Sequence, residues 1–260
     1  SLLLSYGKIF AYQELLDSDV PEDPYLTREL VSYFPTQLRE RYRGLMDGHP
    51  LKREIIATMV TNSMVNRMGA SFALRVQEDT GADIASVAKA YTIAREVFAA
   101  REFWKQVETL DNQVHADFQI EAQLRMWDLV RHATRWFLNL PGAALDIEAM
   151  VARYANGIHE LRDAAQALLP ELERQQVRDL TARFRAAGFP EVLAEQVAAL
   201  HLLTYALDVV EEAAQRGLPI RQVLEAYFAV DRELDLAWLR AKVEELPTSG
   251  HWDANARGHL

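Results

Sequence analysis

From Ala82 through Leu140 the chain contains neither glycine nor proline, and this gap constrains the fold more than any other feature. A β-rich protein needs turn residues at many chain reversals, about every eight to twelve residues, and a segment this long without them reads as helix. The whole chain carries only 11 glycines and 9 prolines in 260 residues, below their usual combined share of about 12%. We therefore expect an all-α protein, with about ten to twelve helices in an irregular bundle.

The breaks fall where those few residues stand: Val20-Pro21-Glu22-Asp23-Pro24, Phe34-Pro35, Gly48-His49-Pro50, Thr80-Gly81-Ala82-Asp83, Leu140-Pro141-Gly142, Pro170, Gly188-Phe189-Pro190, Gly217-Leu218-Pro219 and Leu246-Pro247. Between them, Leu51 to Thr80 is the longest periodic run. Ile55, Met59, Asn62, Asn66, Gly69, Ala73 and Val76 alternate there at spacings of four and three, as a helix seam does. Phe118 to Leu140 repeats the pattern with Gln123, Met126, Val130, Ala133 and Phe137. Gly81 is placed to end one helix in a left-handed conformation, and Asp83 to cap the next.

An internal echo suggests a duplication. At an offset of 136 residues, Gly81, Ile84, Val87, Ala90, Tyr91, Val107, Glu108 and Leu110 recur as Gly217, Ile220, Val223, Ala226, Tyr227, Val243, Glu244 and Leu246. Residues 48–140 and 141–246 are accordingly read as two helical repeats, preceded by a helical segment 1–47 and followed by 247–260.

Charge and composition exclude several functions. The net charge is −10, which opposes nucleic acid and anionic membrane partners, because phosphate binding requires a basic footprint. There is no cysteine, hence no disulfide, thiolate zinc site or cysteine nucleophile, and a reducing, cytoplasmic setting fits. The opening Ser1-Leu2-Leu3-Leu4 is too short for a secretory signal, and no run of uncharged apolar residues is long enough to span a membrane. No two glycines stand two positions apart, so the G-x-G of a dinucleotide loop does not occur, and no Walker A pattern is present. None of the seven histidines belongs to H-E-x-x-H or follows a glutamate by three residues. No metal, cofactor or catalytic residue is expected in this chain.

What stands out instead is polar residues where an apolar seam is expected. Asn62 and Asn66 occupy such positions, with Arg67, Arg75 and Glu78 nearby; they predict a satisfied packing pair or an interdomain contact. Asp208 and Glu211 lie in the second repeat, where Phe72 and Arg75 lie in the first, so Arg75 could pair with either across the repeats. Arg95-Glu96 is an adjacent pair on a helix; neighbours at that spacing do not face each other, and both are expected to have outside partners. Arg39, Arg41 and Arg43 are read as a solvated helix face, interrupted by Glu40.

A resemblance adds to this reading. The run His49-Pro50-Leu51-Lys52-Arg53-Glu54-Ile55-Ile56-Ala57-Thr58 leads into Asn62, Val65-Asn66-Arg67, Gly69, Phe72, Arg75 and Glu78-Asp79-Thr80-Gly81-Ala82. Ala90-Tyr91, Ala94-Arg95-Glu96-Val97-Phe98, Trp104 and Leu110-Asp111 follow. Upstream stand Lys8-Ile9, Tyr12, Asp23-Pro24-Tyr25 and Tyr33-Phe34-Pro35; downstream stand Tyr227-Phe228, Trp238-Leu239 and Leu246-Pro247. Together they resemble the C-terminal region of the large bacterial NAD-specific glutamate dehydrogenases, most densely over residues 1–111.

The resemblance implies a parent enzyme that deaminates L-glutamate to 2-oxoglutarate and ammonia with NAD, its catalytic lysine and nucleotide-binding fold lying upstream. The partners it implies are that catalytic domain and further copies in a homo-oligomer, with segment 1–47 as the link. It also implies that 251–260 begin a further, severed helix. No catalytic residue carries over. The rival readings are a stand-alone helical scaffold binding a partner between the repeats, and a helical enzyme with an unrecognised acid–base site.

Overall fold

In the computed structural model the structure describes residues 2–141 and 145–235, with 238, 239 and 242. Thirteen α-helices and three 3-10 turns appear among them, and no strand. The helices are α1 (Leu2–Leu16), α2 (Thr27–Tyr33), α3 (Thr36–Met46), α4 (Lys52–Met68), α5 (Phe72–Thr80), α6 (Ile84–Val97), α7 (Ala100–Glu108), α8 (Ala116–Asn139), α9 (Ile147–Leu168), α10 (Glu171–Ala186), α11 (Glu191–Ala199), α12 (Ala206–Arg216) and α13 (Ile220–Leu234). The 3-10 turns are Val20–Glu22, Pro24–Leu26 and Leu200–Leu203. The all-α expectation holds, with slightly more helices than the sequence breaks suggest.

The helix ends follow local chemistry. Gly81 has φ 73° and its N–H closes α5 on the Gln77 carbonyl, a conformation that glycine adopts without a Cβ penalty. The Asp83 carboxylate then accepts the Ser86 N–H at 2.7 Å and starts α6. Asp146 caps α9 in the same way through the Ala149 N–H, at 2.9 Å. Pro35, Pro170, Pro190 and Pro219 each immediately precede a helix, where a proline's fixed φ suits the entry.

One expected helix is two. The run Leu51 to Thr80 breaks at Gly69, whose φ of 98° ends α4, and α5 restarts at Phe72. The seam of α4 also differs in phase. Its buried residues are Ile55, Ile56, Ala57, Val60, Thr61, Met64, Val65 and Met68, while Asn62 is half-buried and Asn66 exposed. Of the two expected readings, the buried packing pair is not formed, because α1 and α2 both pack on α4 and a different stripe turns inward. In α8 the expected Met126, Val130, Ala133 and Phe137 are all buried.

At the centre lies α6. Residues 90–95 are buried without interruption, so the helix is covered on every side, as a core helix must be. It packs on α8 and α9 and also touches α1, α4, α5 and α7. A single continuous apolar cluster runs from Ala11 on α1 to Phe228 on α13. Both expected repeats therefore share one core.

The repeated phrase has the same local form twice: a helix, a left-handed glycine (Gly217 has φ 63°), and a helix beginning at isoleucine. Its surroundings differ. Ala90 and Tyr91 are fully buried, whereas Ala226 is exposed and Tyr227 half-buried. Val243, Glu244, Leu246 and the segment 247–260 lie outside the described residues.

Candidate functional site

The most concentrated polar chemistry sits inside the N-terminal half, around Arg95. The guanidinium is 2% exposed and meets Glu29 of α2, itself 2% exposed at its side chain, at 2.9 Å. Its other contacts are Glu96 at 2.7 Å and the Ser63 hydroxyl on α4, also at 2.7 Å. The Tyr91 hydroxyl donates to the Ser63 carbonyl at 3.1 Å. Arg101, half-exposed at the start of α7, donates to the same Glu29 oxygen as Arg95. Arg28 approaches Glu96 at 3.3 Å.

The Arg95 guanidinium thus ties α2, α4 and α6 together, and Arg101 adds α7 through the shared Glu29 carboxylate. Burial alone would raise the Glu29 pKa, but Arg95 and Arg101 reverse this and hold the carboxyl below its ordinary value. Burial would likewise lower the Arg95 pKa, and Tyr91, Glu29 and Glu96 reverse that shift. Each ion is stabilised in its charged form. Paired in this way, the cluster acts on the packing of the helices that carry it.

The expectation for Arg95-Glu96 is corrected in one respect. Arg95 does reach outside partners, but it also folds back onto Glu96 through both Nε, at 3.0 Å, and a terminal nitrogen. The extended arginine stem spans the one-residue offset that a shorter side chain could not.

The expected pairing of Arg75 with Asp208 or Glu211 is replaced. Arg75 and Glu78 are exposed. Asp208 accepts the Trp136 indole N–H at 2.7 Å. Glu211 takes both Arg153 and the Tyr154 hydroxyl at 2.5 Å, joining α12 to α9. Arg67 pairs with Glu108 and lies 5.3 Å from the Trp104 ring centre. Asn62 lines a shallow groove between α1 and α4 with Lys8, Ile9, Tyr12, Thr58 and Thr61. Arg41 and Arg43 are exposed, as a solvated face requires, while Arg39 is half-buried and donates to the Phe34 and Ser32 carbonyls at the end of α2.

Glu29, Ser63, Arg101, Trp136 and Tyr154 escaped the sequence reading. Glu29 and Arg95 are 66 positions apart, and no periodicity links residues on different helices.

Among the described residues no group of three histidines or acids could hold a metal ion. They contain no strand, hence no strand–glycine loop–helix turn of the kind that cradles a pyrophosphate. No single helix among them is long and apolar enough to cross a membrane.

Comparison with known proteins decides the family. A family model described as "Glutamate dehydrogenase, C-terminal" matches residues 1–260. This chain belongs to that family. It is 40% identical over 259 residues to the NAD-specific glutamate dehydrogenase of Pseudomonas aeruginosa, covering 99% of this chain and 16% of that protein. The corresponding enzyme of Halomonas elongata is 37% identical over 257 residues, with 99% and 16% covered. That of Mycobacterium tuberculosis is 27% identical over 255 residues, with 98% and 16% covered. The chain therefore spans about one sixth of the length of the relatives it matches.

For a C-terminal region of a glutamate dehydrogenase, one surface is notable. Eleven of the twenty exposed large apolar side chains among the described residues fall in the first 51 positions. On α1, Leu2, Leu3, Tyr6 and Ile9 are 74%, 71%, 69% and 54% exposed, while Ala11 and Leu15 on its other side enter the core. On α3, Leu38, Tyr42 and Leu45 form an uncovered stripe at helical spacing, and only Met46 of that helix is buried.

Proposed function

We propose that this chain is a non-catalytic supporting domain of an NAD-dependent glutamate dehydrogenase, docked on the remainder of the same polypeptide through α1–α3. The chemistry, oxidative deamination of L-glutamate to 2-oxoglutarate and ammonia, belongs to the part of the enzyme outside this chain, as does NAD. The observation that carries this reading is the apolar surface of residues 1–51. A helix that is apolar on all sides is normally covered on all sides, and α1 is covered on one. Burying three of its exposed side chains would contribute about 4–9 kcal/mol before association costs, and a shared polypeptide lowers those costs.

The same reading places the protein in the cytoplasm, within a homo-oligomer. It takes the two glycine–isoleucine phrases as the trace of a duplicated helix pair, a view supported by their matching local conformations.

The test pairs Leu3→Glu with Tyr6→Glu, both well exposed in this chain. The isolated 260 residues should keep their melting temperature and show no turnover with glutamate and NAD. The longer enzyme carrying both changes should inactivate faster on heating and expose new protease sites near α1. Turnover by the isolated chain, or a longer enzyme indifferent to both changes, would refute the proposal.

A further inference from the structure

Between α7, α9, α10, α11 and the turn Leu200–Leu203 the packing leaves a cavity of about 640 Å³, within the range of about 300–1,000 Å³ typical of small-molecule sites. Phe98, Phe103, Met126, Leu161, Ala165 and Leu203 form an apolar floor, and all six are buried. Ala99, at the junction of α6 and α7 on the cavity wall, has φ 52°. That left-handed conformation is strained for a residue with a Cβ, and such strain gathers at ligand sites.

The rim carries three arginines, of which two are already engaged. Arg178 meets Glu171 at 2.6 Å, and Arg185 meets Glu191 at 2.6 Å. Arg162 has no ion pair or hydrogen bond among the described residues. It is open to solvent on one side, while nearby protein strips water from the guanidinium and pulls its pKa below the ordinary arginine value. Arg131, the other arginine shifted downward by desolvation, has Asp128 against it. Arg162 is an exposed cation without a counter-anion at the edge of an apolar floor, free to pair with an incoming anion.

We propose that this cavity binds a single-chain aliphatic carboxylate, its alkyl chain on the apolar floor and its carboxylate against Arg162. A monoanion suits the site better than a phosphate dianion, because Glu102, Glu191 and Glu195 also line it and would repel a second negative charge. An intruding helix fits less well. Two turns with a diameter of about 10 Å fill on the order of 850 Å³, more than the space available.

The experiment is calorimetric titration of the 260-residue chain, whose helices share one core, with octanoate, decanoate and decanol below micelle formation. Decanoate should bind saturably at one site, about two- to fourfold tighter per added methylene than octanoate. Decanol should bind about tenfold more weakly. Arg162→Gln should bring decanoate down to the decanol level and leave decanol unchanged. Ala182→Trp, on the exposed cavity wall of α10, should abolish binding of both, with the helical circular dichroism intact. Any of three results overturns the proposal: no saturable decanoate binding, equal affinity for decanoate and decanol, or decanoate binding indifferent to Arg162→Gln.

Discussion

Removing the Glu29 carboxylate is the sharpest perturbation of this fold. Glu29→Gln keeps the side-chain shape but withdraws the anion from Arg95, which sits 2.9 Å away at 2% exposure. Breaking a buried ion pair from one side costs about 3–5 kcal/mol, because a charge is left uncompensated. Glu96 still accepts from Arg95 at 2.7 Å, so the loss should fall at the low end, about 3 kcal/mol. In a domain of this size that corresponds to a drop of about 6–12 °C in melting temperature. Arg95→Met should cost a similar amount, and the double variant less than the sum, since the second change removes the charge that the first strands. Thermal melts followed by circular dichroism, assembled into a double-mutant cycle, supply the measurement. Arg101→Ala, at a half-exposed site, is the control and should cost less than about 1 kcal/mol. A Glu29→Gln variant that melts like the parent, or a fully additive cycle, would refute the claim that this cluster ties the four helices together.

Three further outcomes are expected. Because Arg95 and Arg101 hold the Glu29 pKa below its ordinary value, its contribution is present above the unfolded carboxyl pKa and lost as pH falls through the folded one. The parent should lose melting temperature between about pH 5 and pH 3, and Glu29→Gln should flatten part of that slope. Gly157→Ala should destabilise by about 1–3 kcal/mol, because the new Cβ would stand 2.5 Å from a Val210 methyl across the contact of α9 with α12. Val210→Ala should rescue it, and urea denaturation of both variants and their combination reads the result. Asp83→Ala should cost about 1 kcal/mol by uncapping α6, while Asp83→Asn should cost little; thermal melts distinguish the two.

Much of the helical framework was legible in the sequence, because it depends on short-range chemistry. The glycine- and proline-free run does contain only helices and their connections, Gly81 and Asp83 sit where a stop and a cap require, and the α8 seam is in phase. The polar site was barely legible. Arg95 stands out only as half of an adjacent charged pair that needs outside partners, and its partner Glu29 lies on a helix of seven residues, too short for a periodic signal. Asn62 and Asn66 looked like core residues because the four-three pattern admits more than one stripe on α4.

By itself, then, the sequence determined the helical class, several helix ends and membership of the C-terminal glutamate dehydrogenase family. Each of these rests on residues close together along the chain or on a matched string of them. Only the tertiary structure decided which face of α4 turns inward, that Arg95 rather than Arg75 is the buried cation, and that Tyr91 is core while Tyr227 lies at an edge. The reason is physical. Backbone conformation answers to neighbours a few residues away, whereas burial of a charge depends on which distant helix brings its counter-ion into a space that water has left.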